Sequence, residues 1–279
     1  MKKIIVLPMK GTVLLLFAVI LIISTFALNI RNTYNRLQYG VPQGVYLGEI
    51  LMEKKLQAEV TAIVEKESLI FLKRPRNAFL DPLTGQLIRE VYGEKIDVRA
   101  TVDMIMHGTP NTVYSPVIIP LEPEITVDIY RNITERKGSF ATWYGNGGRA
   151  ENIKLAAASI NNYLLAPGEI FSFNQVTGHS KPGRGYQLAP IIVGNTVIPG
   201  YGGGVCQVST TLYNAVLFAD LEVVERFPHS RPVGYVPIGR DATVSDHLDF
   251  KFRNNTNKHI LIKGAGGGYC VYFEIWSSP

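Results

Sequence analysis

The residue best suited to covalent chemistry is a cysteine that follows three glycines and opens an apolar stretch. Gly202-Gly203-Gly204-Val205-Cys206 runs on into Gln207-Val208-Ser209-Thr210-Thr211-Leu212-Tyr213-Asn214-Ala215-Val216-Leu217, a pattern that predicts a helix beginning near Cys206. The free N–H groups and positive end of a helix favour thiolate over thiol, so the expected pKa lies below the ordinary thiol value. Flanking glycines let a substrate backbone approach and leave amide N–H groups to stabilise an oxyanion. Gly203 and Gly204, with Gln207 and Ser209 on the polar side of the helix start, are the expected substrate-binding residues. The plainer alternative is a buried structural cysteine beside a tight turn.

A cysteine nucleophile needs a base, which can come from anywhere in the sequence. Of the five histidines, His229 stands between prolines in Phe227-Pro228-His229-Ser230-Arg231-Pro232, where a restricted backbone would hold its ring. His179, in a Gly-rich polar loop, is the second candidate, and His247 and His259 read as exposed. Asp241, in Gly239-Arg240-Asp241-Ala242-Thr243, would orient His229 or hold a turn. No His-x-x-x-His or Cys-x-x-Cys occurs, so no metal is expected, and no cofactor. The glycines lack the Gly-Lys-Ser/Thr ending of a phosphate loop. Cys270, in Tyr269-Cys270-Val271-Tyr272-Phe273, reads as an inward core residue; a Cys206–Cys270 disulfide is permitted outside the cytoplasm but would consume the nucleophile.

The elements that must position these groups come from a chain of 279 residues, 46% hydrophobic and 18% charged, enough apolar material for a real core and too much for disorder. Lys plus Arg number 28 against 23 Asp plus Glu, a net charge of +5 without any dense basic stripe, which suits an anionic surface rather than nucleic acid. Lys2, Lys3 and Lys10 precede an uncharged apolar run of about 18 residues, long enough to span a bilayer. No small-x-small cleavage site follows it, and the basic residues before it place the N-terminus in the cytoplasm. The expected organisation is a cytoplasmic tail at 1–11, a transmembrane anchor at 12–30 and a linker at 31–45. An α+β domain at 46–133 and a second α+β domain at 134–279, with a mostly antiparallel sheet, then lie outside the membrane.

Within those domains, hydrophobic spacing predicts helices at Glu49–Glu67, Asp97–Met106, Glu151–Leu165 and from Cys206. Short strands are expected at Leu69–Leu72, Val113–Pro120, Ile125–Tyr130, Phe171–Phe173, Ala189–Val193, Thr196–Ile198, Val233–Val236, Asp249–Arg253, His259–Ile262 and Cys270–Trp276, with a polar break at Asn132–Ser139.

Several blocks resemble the VanW-like family: Asn152-Ile153-Lys154-Leu155-Ala156-Ala157, Pro167 through Asn174, Gly200 through Ala215, Glu225-Arg226 with Pro228 through Pro232, Gly239 through Val244, and Leu248 through Asn255. Upstream, Arg76-Asn77-Ala78 and Val117-Ile118-Ile119-Pro120 resemble more loosely the peptidoglycan-binding domain that often precedes a VanW-like domain. The resemblance implies a bacterial envelope protein whose partners are peptidoglycan stem peptides and the cytoplasmic membrane. It further implies an L,D-transpeptidase forming 3-3 cross-links, with Cys206 as nucleophile and His229 as base. Arg226 or Arg231 would pair with a stem carboxylate, and Ser230 would join them in binding substrate. Two alternatives remain: a non-catalytic envelope-binding or glycopeptide-resistance accessory protein, and a cysteine carboxypeptidase or endopeptidase in which water accepts the acyl group.

Overall fold

A computed structural model describes residues 9–82, 84–194 and 196–279. Lys2 and Lys3, and with them most of the expected tail, lie outside the described residues. In chain order the elements begin with α1 (Met9–Tyr39), β1 (Tyr46–Leu47), β2 (Ile50–Leu51), α2 (Gln57–Phe71), β3 (Phe79–Leu80), β4 (Leu87–Ile88), β5 (Gly93–Ile96) and α3 (Val98–Met106). They continue with β6 (Val113–Tyr114), β7 (Ile118–Leu121), α4 (Val127–Asn132), β8 (Glu135–Trp143), α5 (Gly148–Ile160), β9 (Tyr163–Leu165), β10 (Ile170–Ser172) and α6 (Phe173–Thr177). The last are β11 (Leu188–Val193), β12 (Thr196–Tyr201), α7 (Val205–Phe218), β13 (Glu222–Glu225), β14 (Lys251–Arg253), β15 (Ile260–Gly267) and β16 (Cys270–Ser277). The fold is α+β, and among the described residues every strand pairing except β1 with β6 is antiparallel.

One unit comprises the chain up to Arg76 together with Val91–Glu124. Its α1 is long and apolar enough over Val13–Tyr39 to cross a membrane, and its apolar side chains are exposed, which makes it a candidate membrane anchor. Val60 and Val64 of α2 and Val102 and Ile105 of α3 close a small core. Helix α2 starts at Gln57, later than its hydrophobic spacing suggests, because Ile50 and Leu51 are drawn into pairing with β1. It then runs through the strand expected at Leu69–Leu72, whose end is capped by the Leu72 N–H donating to Ser68 O.

The second unit comprises Asn77–Glu90 and Ile125–Pro279. Its centre is a four-stranded sheet in the order β8-β16-β15-β9, against which α5 and α7 pack; a three-stranded sheet, β10-β14-β13, and a β11-β12 hairpin complete it. Ile153, Ala156, Ala157 and Ile160 of α5 and Val208, Leu212, Ala215 and Val216 of α7 are fully buried, the one-sided spacing of a helix lying on a sheet. Phe171, Phe250, Phe252 and Phe273 fill the space around them, Phe171 stacking on Phe252 at 4.9 Å.

Several expected boundaries move, each for a local reason. Helix α5 stops at Ile160, not Leu165, because Asn162 turns the chain with φ of 63° and frees Tyr163–Leu165 to pair with β15. Within the polar stretch Asn132–Ser139, β8 starts at Glu135: this is an edge strand, so its charges can face water, and Arg136 meets Glu274 across the ladder at 2.8 Å. The strand expected at Ile125–Tyr130 is the helix α4, whose first free N–H, on Val127, donates to the Glu90 carboxylate at 2.9 Å. Val233–Val236 forms no strand, hemmed between Pro232 and Pro237, neither of which can donate to a ladder. Cys270 is half-buried instead of inward: its register in β16 gives the core face to Val271, Phe273 and Ile275.

The approach of α7 to the sheet is fixed at one glycine. A Cβ on Gly138 of β8 would stand 2.6 Å from Ala219 N and 2.9 Å from Phe218 C, at the end of α7. Gly138→Val should therefore lift α7 and cost about 1–3 kcal/mol or more, read as a lower urea midpoint at unchanged helix content.

Candidate functional site

The three glycines before α7 are required by contact and conformation. Gly204, the N-cap of α7, has φ of 108°, and a Cβ there would lie 2.9 Å from Ile153 and 3.0 Å from the Arg149 side chain, both on α5. A Cβ on Gly203 would lie 2.6 Å from Pro190 O, and one on Gly202 would overlap Ser180. Asn152, fully buried on α5, ties the turn down: its Nδ2 donates to Gly203 O and Gln187 O, both at 3.0 Å, and its Oδ1 accepts from Gln187 N at 2.7 Å. The start of α7 is thus wedged against the start of α5.

Cys206 occupies the first turn of α7, as expected, but its thiol is not lowered. Burial pushes its pKa up; the backbone around Val244 and Cys206 and the charge of Arg149 pull against this without reversing it. The protonated thiol donates to Val244 O at 3.3 Å. Cys206 and Cys270 are both free.

His229 and Asp241 form a closely bound pair. The backbone N–H of His229 donates to Asp241 Oδ2 at 2.6 Å, and ring Nδ1 lies 2.7 Å from the same oxygen. Burial opposes the charge of Asp241, yet these two hydrogen bonds hold its carboxyl below the usual carboxylate range. An ionised carboxylate only accepts, so Nδ1 carries a proton, and in the neutral ring Nε2 is then the acceptor nitrogen. Arg226 completes the arrangement, donating from Nε to Asp241 O at 2.6 Å and from Nη2 to Asp241 Oδ1 at 3.0 Å.

A cleft of about 1050 Å3 brings Cys206 and His229 together, and Gly203, Gly204, Gln207 and Ser230 line it too. Asp241, bonded to His229, is not on the lining. Ser209 does not reach the cleft: it is fully buried and its hydroxyl donates to Ala242 O at 2.6 Å. Arg226 is bonded to Asp241, and Arg231 is exposed; neither is on the cleft lining. His179 lies on the same cleft in an exposed pair with Asp246 at 2.8 Å. His247 is exposed there, whereas His259 is half-buried. Two lining residues escaped sequence reasoning. Arg149 sits at the start of α5, flagged only by the preceding Asn146-Gly147-Gly148 turn; Tyr235 sits in the segment mistaken for a strand, its phenol pushed above the ordinary value by burial. Among the described residues no group of three or more His, Cys, Asp or Glu is placed to hold a metal ion.

Comparison with known proteins matches residues 148–276 to the family described as VanW like protein. The chain is 44% identical over 213 residues to the uncharacterized protein YoaR of Bacillus subtilis, covering 74% of this chain and 70% of that protein. It is 33% identical over 112 residues to the vancomycin B-type resistance protein VanW of Enterococcus faecalis, covering 38% of this chain and 41% of the other. No solved structure matches the chain.

The lowered carboxyl of Asp241 gives the fold a pH signature. A group with a depressed folded pKa contributes stability that is complete above its unfolded value of about 4 and is lost as pH falls through the folded one. The gap in urea midpoint between wild type and Asp241→Asn should be widest above about pH 5 and shrink steadily below about pH 4. A gap independent of pH over that range would mean the carboxylate charge is not what the fold uses.

Proposed function

Because the chain belongs to the VanW-like family, we propose that it is a cell-envelope protein acting on peptidoglycan, a cysteine L,D-transpeptidase that forms 3-3 cross-links between stem peptides. The observation that carries this reading is the shared cleft of Cys206 and His229, with the ring fixed by Asp241 in the tautomer that accepts a proton. In the acylation step Nε2 of His229 takes the proton of the Cys206 thiol, and the sulfur attacks the carbonyl carbon after the L-centre of a third-position diamino acid. The C–N bond to the terminal D-Ala breaks, and its amine leaves with the proton His229 held. A side-chain amine of a neighbouring stem then attacks the thioester, and the sulfur departs as thiol.

The raised resting pKa of the thiol fits this sequence of events. A thiol kept protonated until a base removes its proton ionises only when the imidazole accepts it, so His229 is required and the helix end alone is not enough. The oxyanion formed on attack would meet the amide groups at the α7 start, where glycines leave the approach open.

The apolar helix α1 supports anchoring in the cytoplasmic membrane, with the basic residues before it on the cytoplasmic side and the cleft outside. Residues 46–133 are taken as the peptidoglycan-binding part on the looser resemblance of their short blocks. One observation favours a second reading, a non-catalytic envelope-binding or resistance accessory protein: the Cys206 thiol is held by the Val244 carbonyl, as a structural cysteine would be.

Cys206→Ala separates the two. The variant should fold normally and remove 3-3 cross-links from the muropeptide profile of cells that depend on this protein for them. Unchanged cross-linking in a strain with normally folded variant would favour the accessory reading.

A further inference from the structure

The cleft carries a cation whose placement is more constrained than any catalytic scheme with Cys206 and His229 alone requires. Arg149, in the first turn of α5, donates from Nη2 to Gln207 Oε1 at 2.7 Å. Gln207 is nearly fully buried, and both donors of its amide are spoken for: Nε2 reaches Thr142 Oγ1 at 3.0 Å and Trp143 O at 2.8 Å. Its oxygen must therefore face Arg149. Thr211 donates to Gln207 O at 2.7 Å, which leaves Thr142 as donor in the 2.8 Å contact between the two hydroxyls and keeps the Thr142 oxygen free to accept from Gln207. A buried relay of three side chains thus fixes one edge of the guanidinium, and the Tyr235 ring lies 6.0 Å from its centre.

Arg149 lines the cleft, and among the described residues no carboxylate forms an ion pair with it. It shares the cleft lining with Cys206, and its charge acts on that thiol. The other cation on the lining, Lys181, is exposed and lies on the side of Asp246. A half-buried, pre-oriented and unneutralised arginine beside a nucleophile suits a planar anion of the substrate, which can take two parallel N–H donors.

We propose that Arg149 is a specificity-determining residue that binds the free C-terminal carboxylate of the residue expelled from the donor peptide. This rests on the transpeptidase reading and narrows it: the substrate class is a peptide that ends one residue after the scissile bond, and a chain continuing further, or ending in an amide, is disfavoured. The reaction is the one already written, with the leaving D-amino acid carrying its carboxylate away intact.

The test uses the full chain in detergent with two donors, a disaccharide tetrapeptide ending in the D-Ala carboxylate and the same compound ending in the carboxamide. Formation of the thioester on Cys206 is followed by intact-protein mass. Wild type should acylate about tenfold or more faster with the acid, since a hydrogen-bonded charge pair is lost with the amide. Arg149→Gln should bring that ratio close to one, and Arg149→Lys, which keeps the charge but not the planar fork, should restore part of it. Because the readout is a ratio within one protein, a general loss of activity does not mimic the effect. An unchanged ratio in Arg149→Gln, or equal rates for the two donors in wild type, would overturn the proposal while leaving the transpeptidase reading intact. No thioester from either donor in wild type would overturn that reading, and the proposal with it.

Discussion

The segment from Arg240 to Val244 lies along the polar side of α7 and is fastened to it at each turn. Asn214 donates to Arg240 O at 2.7 Å, Ser209 to Ala242 O at 2.6 Å, and Cys206 to Val244 O at 3.3 Å; Thr210 accepts from Ala242 N at 2.9 Å. A helix with Gln207, Ser209, Thr210, Thr211 and Asn214 all buried would be costly to keep in a core unless those groups found partners. This one strip of chain supplies partners to Ser209, Thr210 and Asn214, while Gln207 and Thr211 are served by Thr142, Trp143 and Arg149 and by the helix itself. Asp241 is carried on that strip, and His229 is held by Asp241, so the imidazole is aimed at the cleft by the same bonds that make the helix buriable. Packing and chemistry share one set of hydrogen bonds.

The other half of the site is set from the opposite side. Gly138 lets α7 come down on the sheet, and Gly204 lets its N-terminus come against α5, where Asn152 closes the turn and Arg149 is presented. Cys206, the proposed nucleophile, therefore sits where two helix starts meet, on elements whose positions leave little slack. Burial is the cost of that placement. It raises the thiol, and neither the helix end nor the nearby charge of Arg149 reverses that shift.

Much of this was legible in the sequence where the signal is local. The glycine run before Cys206, Asp97 ahead of α3, whose carboxylate accepts from Ala100 N at 3.0 Å, and the one-sided apolar spacing of α5 and α7 all depend on neighbours in the chain. Asp241 could be named as a partner for His229 because they lie 12 residues apart in a Pro- and Gly-punctuated loop. What escaped depends on distant pairing. The polar start of β8 reads as a break until β16 is there to pair with it. Arg149 stands 58 residues from Gln207, and the turn before it marks a helix start but not a charge placed in a cleft. Arg226 and Arg231 are the arginines that the family resemblance assigns to a stem carboxylate; Arg226 donates to Asp241. The upward shift of the thiol is hidden for a similar reason, since helix position is written in sequence and burial is not.

The central claim is that His229, fixed by the strip that carries Asp241, is what ionises Cys206. The most direct measurement is the rate of Cys206 alkylation by iodoacetamide against pH, in wild type and in His229→Ala, with Cys270 replaced by serine in both. The account predicts a neutral-pH limb of reactivity in the first that is absent from the second, which should react only at alkaline pH, as a buried thiol does. The same profile in both proteins would contradict it.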